Sequence, residues 1–294
     1  MKRHIVGLAC AATAVLGATA LAPTAHASAQ AADPVTALKK QISNGRGVTF
    51  VDTTKVTTSY DSGVFAQRRG SMQPGASGIK ASDQTTKLRI TASDVKALSE
   101  GMDEEDAKLM AGLAKPERVV RIKDVSYISG GIFGQLLPEG KTWLQLPGGS
   151  LGNTGRLSQL VNVAEPATLK ALLAHAVVKR PTAYAGKITF GELYKVSPWF
   201  RAGFLTTPTG KQAKTVVDWK LYLGADGLAK RLTTTYPGTP LGAKDTTLTV
   251  DTRYSGWGSE VTVKAPPADQ VATQKDLQED VDPNMPVPLL GGGK

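Results

Sequence analysis

The chain contains a single cysteine among its 294 residues, Cys10. This residue lies inside an apolar run, residues 5–21, near the N-terminus. A lipoprotein signal requires a cysteine directly after such a run. Cys10 comes too early, and Gly7 stands where that signal has a leucine. We therefore expect neither a disulfide nor a lipid anchor in the mature protein.

Histidine is almost as scarce, because His175 is the only one beyond residue 26. A His/Cys metal site is thereby excluded, and a Ser-His-Asp site would have to use His175 without a G-x-S-x-G motif. The sequence also lacks a P-loop and a G-x-G-x-x-G segment between a strand and a helix. The acidic cluster at residues 103–106 fits a helix start, and Asp218 and Asp226 fit strand-edge or turn positions. We expect no catalytic site and no cofactor.

Long apolar runs are absent apart from residues 5–21, and this run has the flanks of a secretory signal peptide. Lys2 and Arg3 precede it, and residues 25–29 contain two overlapping A-x-A cleavage sites. With these flanks the run is too short for a membrane span. We expect residues 1–29 to be a signal peptide cleaved after Ala27 or Ala29. The protein is then secreted or otherwise extracytoplasmic, in the cell envelope.

The charge balance is basic, with a formal net charge of +10 that falls to about +8 once the charges of Lys2 and Arg3 are removed with the signal. The basic residues are scattered and form no tract, which with export makes nucleic-acid binding an improbable function. Two interpretations remain. The charge either belongs to a solvated surface or attracts an anionic envelope surface, such as wall polymers or lipid headgroups.

Beyond the signal peptide, short Val/Thr-rich segments alternate with turns. Residues 47–58 are typical, and Ala225-Asp226-Gly227 marks a hairpin turn. Short connections predict an antiparallel, meandering sheet of about 8–11 strands with two or three helices covering one face, an α+β fold. Helical patterns cover residues 33–42, 92–114 and 166–176. In the last of these, one stripe toward the covered face carries Leu169, Leu172 and Leu173.

The sequence indicates one domain, residues 30–268, followed by a Pro/Gly-rich tail, residues 269–294, that we expect to be disordered. The Gly-rich segment at residues 147–156 is predicted to be an exposed loop. Large apolar side chains also occur in irregular stretches, at residues 132–137 and at Trp199, Phe200 and Phe204. They either fill an ordinary core or line an apolar cavity for a lipid-like ligand.

Several segments together resemble a known family. They are residues 118–128, LPEGKTWL at 137–144, EPATLKALL at 165–173, residues 182–189 and YSGWGSEVTVKAPP at 254–267. In this order they are similar to the LolA-like proteins secreted by actinobacteria, which are akin to the LppX/LprG lipoproteins and more distantly to LolA, LolB and RseB. The resemblance spans most of residues 45–268. The chain departs from the family pattern because it lacks the acylated cysteine. Residues 147–156 and the tail are not part of that pattern either.

The resemblance implies a curved half-barrel sheet with helices on its concave face, and a non-catalytic carrier of lipid or lipoprotein. We expect a monomer with an apolar cavity of about 300–1,000 Å³ between sheet and helices. The alternative is an RseB-like extracytoplasmic sensor or protein-interaction module. An interior filled by the chain's own side chains would contradict the carrier interpretation. The candidate cavity residues are Phe133, Leu136, Trp143, Leu172, Trp199, Phe200, Phe204, Trp219 and Leu221.

Overall fold

The computed structural model describes residues 33–204 and 206–277. The predicted signal peptide, residues 1–29, lies outside the described residues, and so does the tail from residue 278 onward. In the described part, no helix combines the length and the apolar character needed to cross a membrane.

A single sheet of twelve strands forms the framework of the described residues. It is curved and does not close, and its strand order is β12-β6-β5-β4-β3-β2-β1-β11-β10-β9-β8-β7. Every neighbouring pair is antiparallel except β12 with β6. The strands are β1 (Arg46–Thr57), β2 (Ser62–Gly75), β3 (Gly78–Leu88), β4 (Glu117–Ile122), β5 (Val125–Gly130), β6 (Trp143–Pro147), β7 (Ala176–Arg180), β8 (Ala183–Thr189), β9 (Val216–Leu223), β10 (Ala229–Pro237), β11 (Thr247–Glu260) and β12 (Val271–Thr273).

The predicted α+β class and the antiparallel, curved sheet are thus confirmed, although the sheet has one strand more than the upper predicted count. Strand β12 lies beyond residue 268, inside the segment assigned to the tail. It pairs in parallel with β6 through Val271 and Trp143. The framework therefore extends past the predicted domain boundary.

Buried and exposed residues alternate along the central strands, so the sheet has two different faces. In β9, Val217, Trp219 and Leu221 are buried, whereas Asp218 and Lys220 are exposed. Successive side chains of a strand point to opposite sides, so this pattern places one face on the core and the other toward solvent. We call them the inner face and the outer face.

Seven short helices are described where two or three were predicted. The predicted helix at residues 92–114 is two helices, because Gly101 adopts φ +82 and Asp103 starts a new helix by accepting a hydrogen bond from the Asp106 amide. The helices are α1 (Pro34–Lys40), α2 (Ala92–Leu98), α3 (Glu104–Ala111), α4 (Pro166–Ala174), α5 (Phe190–Val196), α6 (Pro198–Phe204) and α7 (Gly210–Ala213).

Helix α4 follows the sequence prediction closely. Pro166 occupies its first turn, and the helix ends at His175. Leu169 and Leu172 are buried in the main apolar cluster, and Leu173 packs against that cluster partly buried. The i, i+3, i+4 spacing therefore does place one stripe of α4 on the core.

The core consists of three apolar clusters. The largest lies between the inner face of β1 and β8–β11 and the helices α1, α4, α5 and α6, and its centre is aromatic. Phe200 and Phe204 stack with ring centroids 5.2 Å apart, and Phe190 meets each of them edge-on at 5.1 Å. Two smaller clusters lie around Leu113 and around Phe133.

The Gly-rich segment corrects the sequence prediction most clearly. Residues 149–165, which we call the strap, are buried except for the half-buried Arg156. The glycines allow close approach, since a Cβ added at Gly152 would lie 2.5 Å from the Glu117 carboxylate and one at Gly155 would lie 2.5 Å from Leu151. The segment therefore runs inside the molecule, and the prediction of an exposed loop at residues 147–156 is wrong beyond Gly148.

Candidate ligand-binding site at the inner face

The strap covers the inner face of the sheet and is held there at discrete points. Its first part is anchored on the buried Glu117 of β4, which accepts hydrogen bonds from the Thr154 hydroxyl (2.6 Å), the Thr154 amide (3.0 Å) and the Asn153 amide (3.3 Å). Ser126 of β5 donates to the Ser150 carbonyl at 2.6 Å. Burial raises the pKa of Glu117, and these hydrogen bonds oppose that rise.

The last residue of the strap, Glu165, is a second buried carboxylate. It accepts hydrogen bonds from the Thr168 hydroxyl (2.8 Å), the Trp199 amide (2.8 Å) and the Ser197 hydroxyl. It therefore connects the end of the strap to α4 and to the start of α6. Burial raises the pKa of Glu165, and these bonds, together with the charge of Arg121, act in the opposite direction.

Between the two carboxylates, Gln159 attaches the strap to the centre of the sheet. Its amide donates to Thr252 (3.0 Å) and accepts from Thr234 (2.9 Å), and its backbone carbonyl accepts from the indole of Trp199 (3.0 Å). On the neighbouring strand, the Thr54 hydroxyl donates to the Leu157 carbonyl at 2.6 Å. These three threonine hydroxyls of the sheet thus find their partners in the strap.

A buried ion pair lies beneath Gln159. Arg68 of β2 binds Asp52 of β1, and its guanidinium lies 5.1 Å from the Phe50 ring centroid and 5.6 Å from that of Trp199. The space at this point is a cavity of about 10 Å³, which holds at most one water. Burial also raises the pKa of Tyr254, whose ring borders the same cavity, so it is neutral at physiological pH.

Seven of the nine predicted cavity residues are buried, and Leu136 and Trp143 are half-buried. They do not surround one space. Phe133 packs with Leu144 and Leu146 in one cluster, whereas Trp199, Phe200 and Phe204 pack in another. Leu172, Trp219 and Leu221 belong to this second cluster. The ring of Trp143 lies outside both clusters, 5.4 Å from the guanidinium of Arg118. The role of the nine side chains in binding a ligand stays a prediction.

The polar residues at the centre of the site were missed at the sequence level. Asp52 and Arg68 occupy inward positions of strands whose other inward positions are mostly apolar, and Gln159 stands in an irregular segment. A charged residue at the inward position of an alternating strand is the signal that could have identified them. Arg68 and Arg69 are adjacent in β2, but the side chain of Arg68 is buried and that of Arg69 is exposed.

In the part of the chain that the structure describes, no group of three His, Cys, Asp or Glu side chains is placed to hold a metal ion. His175 lies at the C-terminal end of α4, where the sequence predicted it. Its imidazole lies 3.4 Å from the Glu192 carboxylate, and both side chains are more than two-fifths exposed. This geometry fits a surface contact between two elements.

No family model and no curated protein matches the sequence. Among solved structures, the chain is similar to the LolA superfamily protein NE2245 from Nitrosomonas europaea, with 8% identity over 84% of this chain and 96% of that one, at a TM-score of 0.30. An outer membrane lipoprotein-sorting protein domain from Vibrio parahaemolyticus matches with 7% identity over 76% and 90%, at 0.27. The hypothetical protein CT021 from Chlamydia trachomatis matches with 10% identity over 74% and 91%, also at 0.27. Scores this low carry no argument about function.

Proposed function

We propose that the protein is a non-catalytic extracytoplasmic carrier of a ligand that bears an acyl chain, and that the described conformation is its closed form. The observation that carries the proposal is the strap itself. It places Leu151, Leu160, Val161 and Val163 in the main apolar cluster, between the inner face and the helices. An acyl chain has the same chemistry as this row of side chains and would occupy the same place.

The interior is filled by the chain's own side chains, which contradicts a carrier with a preformed cavity, so the proposal requires the strap to move. The strap contains no strand and only one short helical turn, Asn153–Leu157. The side chains that hold it, at Glu117, Ser126, Thr54 and Gln159, form separate contacts rather than a continuous ladder. Each such hydrogen bond contributes about 1 kcal/mol net, so the strap can be displaced without unfolding the sheet.

Bound methylenes would replace the apolar contacts of the strap, at about 0.8 kcal/mol each. Calorimetric titration with single-chain fatty acids of increasing length tests this directly. We expect affinity to rise about fourfold per added methylene until the space is full. Glycerol phosphate, which has no acyl chain, is the control and is expected not to bind. Equal affinity across chain lengths, or no binding at any length, would contradict the carrier function.

A protein-interaction module is the second candidate, and the edge strand β7 favours it. This strand pairs only with β8 among the described residues, and Val177 is 83% exposed and Val178 40% exposed. An open edge with apolar side chains can accept a strand from a partner. Absence of any acyl-chain binding, together with capture of an extended peptide by β7, would favour this candidate.

A further inference from the structure

A row of arginines crosses the outer face of the sheet. The register places Arg231 of β10 opposite Arg253 of β11, and Arg253 opposite Val51 of β1. Val51 in turn is opposite Arg69 of β2, which is opposite Thr85, and Thr85 is opposite Arg118 of β4. Four arginines thus lie on one line over six adjacent strands. With about 4.8 Å between strands, this line is about 24 Å long.

The row has more positive charge than the sheet neutralises. Asp251 binds Arg231 and lies 3.8 Å from Arg253, and Asp83 binds Arg118 through two hydrogen bonds. No described residue forms a hydrogen bond or ion pair with Arg69. Like charges directly opposite each other are destabilising in a sheet, so the juxtaposition of Arg231 and Arg253 costs stability. Such a cost is expected where the charges serve a ligand.

Three shallow hollows of about 490, 490 and 470 Å³ follow this line and share Val51 in their walls. We call them together the outer groove. Two acidic side chains, Asp83 and Asp251, border it. The basic side chains along it are Lys55, Arg69, Lys87, Arg118, Arg231 and Arg253.

We propose that the outer groove binds an extended anionic polymer with repeating phosphates. Guanidinium groups bind phosphate oxygens through paired hydrogen bonds, and a row about 24 Å long requires several phosphates on one ligand. The row crosses the strands of a curved sheet, so a flat lipid surface reaches only part of it whereas a flexible chain follows all of it. This site lies on the face opposite the strap and is independent of the proposed carrier function.

The groove is poorly suited to nucleic acid. Single-stranded nucleic acids bind by stacking their bases on aromatic side chains beside a basic track. Aromatic side chains meet the row only at its two ends, where Tyr222 is opposite Arg231 and the ring of Trp143 lies 5.4 Å from the guanidinium of Arg118. The other residues of the line between Arg253 and Arg118 are Val51 and Thr85, which offer no stacking surface.

The test measures binding of inorganic polyphosphate to the purified protein over a range of salt concentrations. The six basic and two acidic side chains along the groove leave four net positive charges. Four neutralised phosphates predict a slope of log K against log salt of about −3, which is about a 60-fold loss of affinity between 50 and 200 mM salt. The double variant Arg69→Gln/Arg253→Gln removes two of these charges without leaving an acid unpaired, because Asp251 keeps Arg231. Its slope should fall to about −1.5 and its affinity at 50 mM salt at least tenfold.

The matched control is Lys211→Gln/Lys214→Gln, which removes the same charge from exposed residues at α7. We expect it to bind polyphosphate within twofold of the unmodified protein. Equal weakening by both double variants would overturn the proposal, because the effect would then come from net charge alone. Tighter binding to vesicles containing phosphatidylglycerol, or to a single-stranded oligonucleotide of equal charge, would also overturn it.

Discussion

The inner and outer faces of the sheet are built from the same strands and have opposite chemistry. On the inner face, polar groups such as Asp52, Thr54 and Glu117 are buried, and each receives a partner from the strap or from a neighbouring strand. On the outer face, threonines alternate with Arg and Lys, and Arg69 and Arg253 extend into solvent. One face is closed by the chain itself, whereas the other is open along the outer groove.

The two faces of the sheet therefore have different roles in the structure. Buried polar groups are costly when unpaired, so hydrogen bonds from the inner face fix the strap at Ser150, Thr154, Leu157 and Gln159. Apart from the facing pair Arg231 and Arg253, exposed charges on the outer face contribute little to the stability of the fold. Substitutions at adjacent residues of one strand, one pointing to each face, therefore separate structural from surface roles.

The largest difference is expected between neighbours on β9. Leu221 is fully buried in the main cluster, whereas Tyr222 is 43% exposed on the outer face. Leu221→Ala should lower the free energy of unfolding by about 3 kcal/mol through lost burial and a cavity, and Tyr222→Ala by less than about 1 kcal/mol. Urea denaturation measures both. Similar losses would show that the two faces are not distinct.

The next comparison is between Gly148, directly before the strap, and Gly152, within it. Gly152 and Gly148 have nearly equal φ angles, +78 and +80, but only Gly152 has atoms within 4 Å of an added Cβ. Gly148→Ala should cost about 1 kcal/mol for its backbone conformation alone. Gly152→Ala should cost about 2 kcal/mol more, because the methyl group meets the Glu117 carboxylate and Val119. Equal thermal stabilities would mean that the strap is not seated on Glu117.

Thr54 and Thr53 on β1 test how the strap is held. Thr54 donates to the Leu157 carbonyl, whereas Thr53 lies on the outer face and borders the outer groove. Thr54→Val should lower the free energy of unfolding by about 1 kcal/mol. It should also tighten acyl-chain binding about fivefold, since the closed form that competes with the ligand is weakened by the same amount. Thr53→Val should change neither quantity in the same fatty-acid titration.

The smallest expected effect is a difference between two glutamates in how their contributions to stability depend on pH. Burial raises the pKa of Glu117 above its ordinary value of 4.5, so its contribution to stability falls as pH rises from about 4.5 through the folded pKa. At the half-exposed Glu192, burial is outweighed by hydrogen bonds from Thr189, and the pKa is lowered. Its contribution is therefore lost as pH falls below 4.5.

Glu117→Gln and Glu192→Gln should each remove one of these dependences. Subtracting the stability of each variant from that of the unmodified protein, over pH 3 to 7, should give curves of opposite slope. If the contribution of Glu117 to stability instead rises with pH, its hydrogen bonds to the strap lower its pKa by more than burial raises it.

The sheet could be predicted from sequence because its signals are local. The alternation along β9, the turn at Ala225-Asp226-Gly227 and the Pro166 start of α4 each involve residues close together in the chain. The inner-face network could not be predicted in the same way. Asp52 meets Arg68 only through the register of β1 with β2, and Glu117 meets Thr154 across 37 residues.

The burial of the strap was mispredicted because glycine occurs in proteins for two different structural reasons. Gly148, Gly149 and Gly152 all have positive φ, which is typical of exposed turns. In this chain, Gly152 also removes a side chain that would collide with Glu117. Composition cannot distinguish a glycine needed for a turn from one needed for close approach, since the second depends on a distant neighbour.

The central claim is that the strap gives way to an acyl chain. Hydrogen–deuterium exchange at the amides of residues 157–164, with and without a saturating long-chain fatty acid, measures this directly. The account predicts faster exchange of these amides in the bound protein, while the amides of β1 and β11 remain protected. Unchanged or slower exchange in the strap, at a concentration where calorimetry shows binding, would contradict it.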